Sequence, residues 1–190
     1  MIATHNSMTY LKSTNPLFNL FSFTWKCQDT DYKEQYNEGV KLFDIRLIED
    51  DGEFKFAHGY ITLKGEDPIK VINWLSRKQT YFRIVIERGD TDNILTKFKN
   101  YKYCLGIWQK KGWVELYKNS IYNTLSFKDY SYVPFQSDKS IISQLWSFLK
   151  NLTTIKNYSK NLTISLSDLY NSDTYYYVDF YECVGLNVKQ

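Results

Sequence analysis

The sequence predicts an α/β protein built as a distorted, shortened (β/α) barrel. Short runs with strand character alternate along the chain with helical segments, an order typical of sheets covered by helices. About eight strands can be counted, the number found in a (β/α) barrel. The chain has 190 residues, fewer than the roughly 250 typical of that fold. We therefore expect one catalytic domain over residues 1–190, with some helices missing or short.

The first third of the chain contains clearly delimited elements. In order, these are strand 2–4, helix 29–39, strand 40–47, turn 49–52 and strand 53–58. His5 directly follows the first strand, and His58 ends the last one, before a glycine. Because side chains alternate along a strand, Asp44 and Arg46 are expected on one face.

The remaining chain continues the alternation. The predicted elements are helix 67–79, strand 81–86, helix 92–101, strands 103–108, 113–117 and 132–135, helix 140–158, and strands 162–166 and 175–181. Residues 109–130 show the weakest pattern. Catalytic groups of α/β barrels come from the C-terminal ends of strands. We therefore expect His5, Arg46, His58, Glu87 and Asp179 to converge at one mouth.

The chain has two histidines in all, and their surroundings suggest chemistry. Imidazole is the side chain whose ordinary pKa lies near neutral pH, so two of them can serve as a base and an acid. An arginine beside them would bind an anion. The combination is typical of phosphodiester cleavage. The alternative for each histidine is a core or turn residue with a satisfied hydrogen bond.

Three stretches resemble the catalytic X region of phosphatidylinositol-specific phospholipase C, particularly the bacterial type. They are residues 3–10 (ATHNSMTY), 35–46 (QYNEGVKLFDIR) and 51–59 (DGEFKFAHG). The close resemblance covers about residues 2–61. A thinner match rests on Tyr177-Val178-Asp179-Phe180, which resembles the late barrel strand that supplies an aspartate to the first histidine. Gln136-Ser137-Asp138 resembles the family's inositol-contacting stretch.

The resemblance implies cleavage of an inositol phospholipid to diacylglycerol and a cyclic inositol phosphate. His5, held by Asp179, would take the proton of the inositol 2-hydroxyl, and His58 would protonate the departing oxygen. Arg46 would stabilise the phosphoryl charge. The candidate catalytic residues are His5, Asn6, Asp44, Arg46, His58 and Asp179, and the candidate substrate-binding residues are Glu87 and Asp138.

The resemblance also bears on metal use. Eukaryotic members hold calcium through an asparagine beside the first histidine and through acidic residues, whereas Arg46 occupies the place of one such acid. A fixed cation replaces the metal and repels it, so we expect no cofactor and calcium-independent activity. Asn6 stands where the bacterial pattern has an aspartate that partners the second histidine. Asn6 together with Glu87 keeps calcium as the alternative.

Two other functions fit part of the sequence pattern. A glycerophosphodiester phosphodiesterase or a sphingomyelinase-D-like barrel would bind magnesium through a Glu-x-Asp pair, but here that strand reads Asp44-Ile45-Arg46. A catalytically inactive module that binds lipid headgroups would need neither a base nor an acid. The set of His5, Arg46, His58 and Asp179 therefore argues against the binding module and favours the phospholipase C reaction.

The composition of the chain limits the kinds of partner that it is expected to bind. The 24 basic and 21 acidic residues give a formal net charge of +3 and are interspersed, which argues against nucleic-acid binding. The 17 tyrosines, 12 phenylalanines and 5 tryptophans suit a lipid interface as well as a core. We expect a monomer that acts on phospholipid at a membrane surface without a spanning segment. The sequence shows no secretion signal, so we expect a cytoplasmic or peripheral membrane location, with another secretion route left open.

Overall fold

The computed structural model describes residues 1–22, 25–129, 163–165, 174–178 and 185–187. It is a mixed α/β fold with a sheet of ten strands and a second sheet of two. The strands are β1 Ile2–Thr4, β2 Lys12–Ser13, β3 Leu42–Asp50, β4 Glu53–His58, β5 Ile61–Lys64, β6 Tyr81–Arg88, β7 Cys104–Gln109, β8 Val114–Lys118, β9 Ser126–Asp129, β10 Thr163–Ser165, β11 Thr174–Val178 and β12 Gly185–Asn187. The helices are α1 Pro16–Leu20, α2 Tyr32–Asn37, α3 Pro68–Arg77 and α4 Thr91–Phe98, with 3-10 turns at Lys111–Trp113 and Ser120–Thr124.

The sheet topology brings the ends of β1 and β4 together. Six strands run parallel in the order β9, β11, β1, β3, β6, β7. β6 pairs with one edge of β3, so β1 and β4 share the other edge. β1 pairs in parallel with Leu42 and Phe43, whereas β4 pairs antiparallel with the segment from Leu47 to Asp50. The two strands approach each other from opposite directions, and His5 and His58 stand where they meet.

The ten-stranded sheet is curled but open. Arg83 on β6 and Tyr177 on β11 lie three strands apart, about 14 Å on a flat sheet. Their guanidinium carbon and ring centroid are nevertheless 4.0 Å apart. Tyr81 and Tyr175, on the same two strands, have centroids 6.4 Å apart. The α/β class is confirmed, but pairing among the described strands does not close the sheet, so the predicted barrel is not confirmed.

The predicted helix boundaries have visible causes. Asp31 accepts hydrogen bonds from the backbone N–H groups of Lys33 and Glu34 and so caps α2. Asp67 caps α3, whose first residue is the predicted Pro68. Capping by Asp90 begins α4 at Thr91, one residue before the predicted start. These helices lie where the sequence predicted them and are shorter by a few residues.

Other elements differ from the predictions. The sequence did not predict the short elements β2, α1, β5, β9 and β12. β8 pairs antiparallel with β7, which assigns a structure to part of the weakly patterned stretch 109–130. β10 and β11 lie within the predicted strands 162–166 and 175–181, apart from one residue at the start of β11. The predicted strand 132–135 and helix 140–158 lie outside the described residues.

Candidate active site

Six of the eight predicted site residues form one connected cluster, and Asn6 lies at its centre. Asn6 follows β1 in a left-handed backbone conformation (φ 47°) and is 2% exposed. Its Nδ2 lies 3.3 Å from His5 Nε2 and 3.2 Å from His58 Nε2. Its backbone N–H donates to Asp44 Oδ2 at 3.1 Å. One amide nitrogen therefore lies within hydrogen-bond distance of both imidazoles.

Hydrogen-bond partners assign the tautomer of each histidine. The His58 ring lies with Nδ1 2.7 Å from the carbonyl oxygen of Trp25, and a carbonyl only accepts. Arg46 Nη2 lies 2.7 Å from His5 Nε2, and a guanidinium only donates. Both rings thus carry a proton on Nδ1 when they are neutral, which leaves a lone pair on each Nε2.

The environment disfavours the charged form of His58. Burial, followed by the positive charge of Arg46 and interaction with His5, lowers the pKa of His58 to about 4. Glu87 and the Trp25 carbonyl oppose this shift without reversing it. His58 is therefore neutral at neutral pH in the free protein. It becomes an acid only when an anion compensates the nearby positive charge.

Arg46 is the centre of a buried ion network. The residue is 6% exposed. Its Nε donates to Asp44 Oδ2 and its Nη1 to Glu87 Oε1, both at 3.2 Å. Burial opposes the charge of Arg46, but the two carboxylates outweigh it and raise the pKa. With three groups bound to His5, Asp44 and Glu87, two of its five N–H groups are left to reach another ligand.

Each carboxylate of the network is shared by two cations. Asp44, fully buried, accepts from Arg46 and, through Oδ1, from Arg83 Nε at 2.9 Å. Glu87 accepts from Arg46 and lies 2.8 Å from Lys110 Nζ. Burial would raise the pKa of each carboxyl, but the cations outweigh it and lower both. Both groups are ionised at neutral pH and hold the positive side chains in place.

Sequence reasoning missed Arg83 and Lys110. The sequence pattern could have indicated Arg83 as a site residue, because it precedes Glu87 by four residues on one strand and alternation places both side chains on one face. Its pairing with Asp44 depends on the register of β3 and β6, which the sequence does not reveal. Lys110 comes from the turn after β7 and had no such signal. Of the predicted residues, Asp179 and Asp138 lie outside the described residues.

The two described carboxylates near the histidines are already paired with cationic side chains. Calcium binds through a set of available oxygen ligands. Asp44 and Glu87 are each already bound by two cationic side chains, and Arg46 lies between them. Within the described ranges, no group of three or more His, Cys, Asp and Glu side chains could hold a metal ion.

A short helix beside the site exposes apolar side chains. α1 contains no buried residue, and its exposed fractions are 59% for Leu17 and 73% for Leu20. The Trp25 indole donates to the carbonyl oxygen of Phe18 at 3.0 Å, while the Trp25 carbonyl accepts from His58. One residue thus connects this helix to a histidine. No helix in the described part of the chain is long and apolar enough to cross a membrane.

Comparisons with known proteins identify no family. No family model matches the chain, and no curated protein matches it. Among solved structures, phosphatidylinositol-specific phospholipase C from Listeria monocytogenes is 14% identical, with 95% of this chain and 87% of that chain covered and a TM-score of 0.49. An F249X mutant of the Staphylococcus aureus enzyme is 13% identical, with 93% and 70% covered and a TM-score of 0.48.

Another Staphylococcus aureus phosphatidylinositol-specific phospholipase C structure is 19% identical over 58% of this chain, with a TM-score of 0.42. In that alignment the chain spans about half the length of its neighbour, 47%. At such identities and TM-scores the likeness carries no argument about activity. The functional argument therefore rests on the geometry of the site.

Proposed function

We propose that the protein is a phosphodiesterase that cleaves phosphatidylinositol or a related inositol phospholipid by intramolecular transfer. One observation carries the proposal: the Nε2 atoms of both histidines lie within 3.3 Å of the amide nitrogen of Asn6, and Arg46 lies beside them. The groups proposed as base, acid and anion binder therefore lie close together around the Asn6 amide. This proximity supports the proposal, because all three groups must reach one phosphate group during the transfer.

His5 is the base of the proposed reaction. Its Nε2 lone pair takes the proton of the inositol 2-hydroxyl while that oxygen forms a bond to phosphorus. In the free protein this lone pair accepts from Arg46 Nη2. A phosphoryl oxygen competes for that N–H group, so substrate binding would release the base at the moment it is needed.

His58 is the acid that completes the transfer. As the bond from phosphorus to the diacylglycerol oxygen breaks, His58 gives its Nε2 proton to that oxygen. The products are diacylglycerol and a cyclic inositol phosphate. The low pKa of His58 in the free protein means that the proton must be acquired with the substrate. A phosphodiester anion beside the ring raises this pKa because opposite charges favour the protonated form.

Arg46 is the proposed cation that stabilises the phosphoryl oxygens. Two carboxylates orient it, so it needs no rearrangement to meet the charge that builds during transfer. Its presence supports calcium-independent activity, which we keep as part of the proposal. Asp179, proposed as the partner of His5, and Asp138, proposed to contact inositol, retain their predicted roles.

A membrane surface is the proposed site of action. The exposed apolar side chains of α1 lie together on one short helix of five residues, and such clusters mark interaction surfaces more often than isolated apolar residues do. Their connection through Trp25 to His58 places the apolar helix beside the proposed acid. Docking of α1 on lipid would therefore bring a headgroup next to the histidines.

The test is release of water-soluble inositol phosphate from phosphatidylinositol vesicles in excess chelator. The wild-type protein should release product, and His5→Ala and His58→Ala should each abolish release while the protein stays folded. Absence of product in chelator and after addition of calcium or magnesium would refute the proposed substrate. Binding to the vesicles without turnover would instead indicate a headgroup-binding module.

A further inference from the structure

Arg83 belongs to the ion network of the site and lies beside the residues of the proposed reaction. It lies on β6 directly opposite Asp44 on β3, and its Nε donates to Asp44 Oδ1 at 2.9 Å. The other oxygen of the same carboxylate holds Arg46. Asp44 therefore orients two guanidinium groups side by side, one on each of its oxygens.

A second contact fixes the Arg83 guanidinium from another direction. Its central carbon lies 4.0 Å from the ring centroid of Tyr177 on β11, a cation–π distance. The side chain is nevertheless 17% exposed, against 7% for Arg46. Arg83 is thus held in one orientation and is the more accessible of the two arginines. These properties suit a group that meets a ligand.

Two guanidinium groups lie close together in the ion network around Arg83. Arg83, Asp44, Arg46, Glu87 and Lys110 form an alternating row connected by ion pairs. Because Asp44 accepts from both arginines, their planar guanidinium groups lie side by side. Such a pair suits a phosphate group, whose several oxygens can accept hydrogen bonds from both.

We propose that Arg83 is a second anion-binding residue of the site, and that it contacts the phosphate group of a diester together with Arg46. The inference deepens the proposed function, on which its choice of a diester rests. Arg46 meets one phosphoryl oxygen beside His5, and Arg83 meets the group from the side of β6. Two guanidiniums share the charge that a single arginine would otherwise meet alone.

The direct test observes Arg83 in the wild-type protein. Arginine Nε–H resonances are followed by NMR while dimethyl phosphate, a monoanionic diester, is added, with inorganic phosphate in a parallel titration. Saturable shifts of Arg83 and Arg46 with one midpoint in dimethyl phosphate are expected. A shift of Arg46 without Arg83 would overturn the proposal. A response to inorganic phosphate alone would show a site for free phosphate and would also overturn it.

Variants supply an independent test. Losing a charged hydrogen bond to the phosphate should lower kcat/KM on phosphatidylinositol vesicles roughly ten- to hundredfold in Arg83→Gln. Arg83→Lys keeps the charge and should recover part of the loss in kcat/KM. If Arg83→Gln does not fold, the activity of Arg83→Lys can still be compared with that of the wild type. Arg88→Gln is the matched control on the same strand, because Arg88 binds only Tyr60 and Thr62 in the described residues. Its kcat/KM should stay within about twofold of wild type.

The outcomes separate this inference from the proposed function. If the wild-type protein cleaves vesicles and Arg83→Gln cleaves equally well, the inference is wrong and the function stands. If dimethyl phosphate shifts both arginine resonances but no vesicle is cleaved, the second arginine stands and the proposed reaction is wrong. An equal loss in Arg83→Gln and Arg88→Gln would show a response to overall charge and refute a specific contact.

Discussion

Acidification should destabilise the protein through His58. The pKa of His58 is lowered from 6.5 to about 4 in the folded protein, so between these values the unfolded chain binds a proton that the folded chain does not. The contribution of His58 to the free energy of unfolding is therefore fully present above pH 6.5 and is lost as the pH falls towards 4. With about 1.4 kcal/mol for each pH unit, the loss reaches at most about 2 kcal/mol at pH 5.

Urea unfolding of the wild type and of His58→Gln at pH 7 and pH 5 measures this contribution. Glutamine keeps an amide that can donate to the Trp25 carbonyl but does not titrate. The free energy of unfolding of the wild type should fall by about 2 kcal/mol more than that of the variant between the two pH values. Equal losses in the two proteins would refute the assignment of a half-buried His58 that is neutral at pH 7.

Three further predictions address the arginine, the apolar helix and a strained turn. Arg46→Gln should abolish the reaction measured in chelator. It should also lower the free energy of unfolding by about 3 kcal/mol, because two buried carboxylates lose a partner. Unchanged rates in chelator would contradict the role of Arg46. Leu17→Ser with Leu20→Ser should lower turnover on vesicles, while turnover of a soluble inositol phosphodiester, measured in parallel, should stay unchanged. Gly89→Ala should lower the melting temperature sharply, because Gly89 has φ +108° and an added Cβ would lie 2.2 Å from the carbonyl oxygen of Glu49; a melting temperature equal to that of the wild type would show that this turn tolerates a side chain.

The part of the site that the sequence could predict is local. His5 and His58 are recognisable because each stands where a strand pattern meets a turn. The shared face of Asp44 and Arg46 follows from alternation within one strand, and the ion pair between them agrees with it. Such features depend on the period of a strand and on turn residues, which neighbours in the sequence determine.

The part that the sequence could not predict depends on pairing between distant segments. Arg83 joins the site because β3 and β6 align it with Asp44, and the meeting of β1 and β4 depends on both using one edge of β3. Register and sheet curvature arise from tertiary packing. The sequence did not predict β2 and α1, because elements of two and five residues are too short to show a periodic pattern.

The identity of the first phosphorus-containing product tests the central claim most directly. Phosphorus NMR of the wild-type protein acting on phosphatidylinositol in chelator follows the phosphate as it leaves the lipid. If His5 activates the inositol 2-hydroxyl and His58 protonates the diacylglycerol oxygen, a cyclic inositol phosphate appears first, and His58→Ala gives none. An acyclic inositol monophosphate as the first product would show direct attack by water and contradict the account.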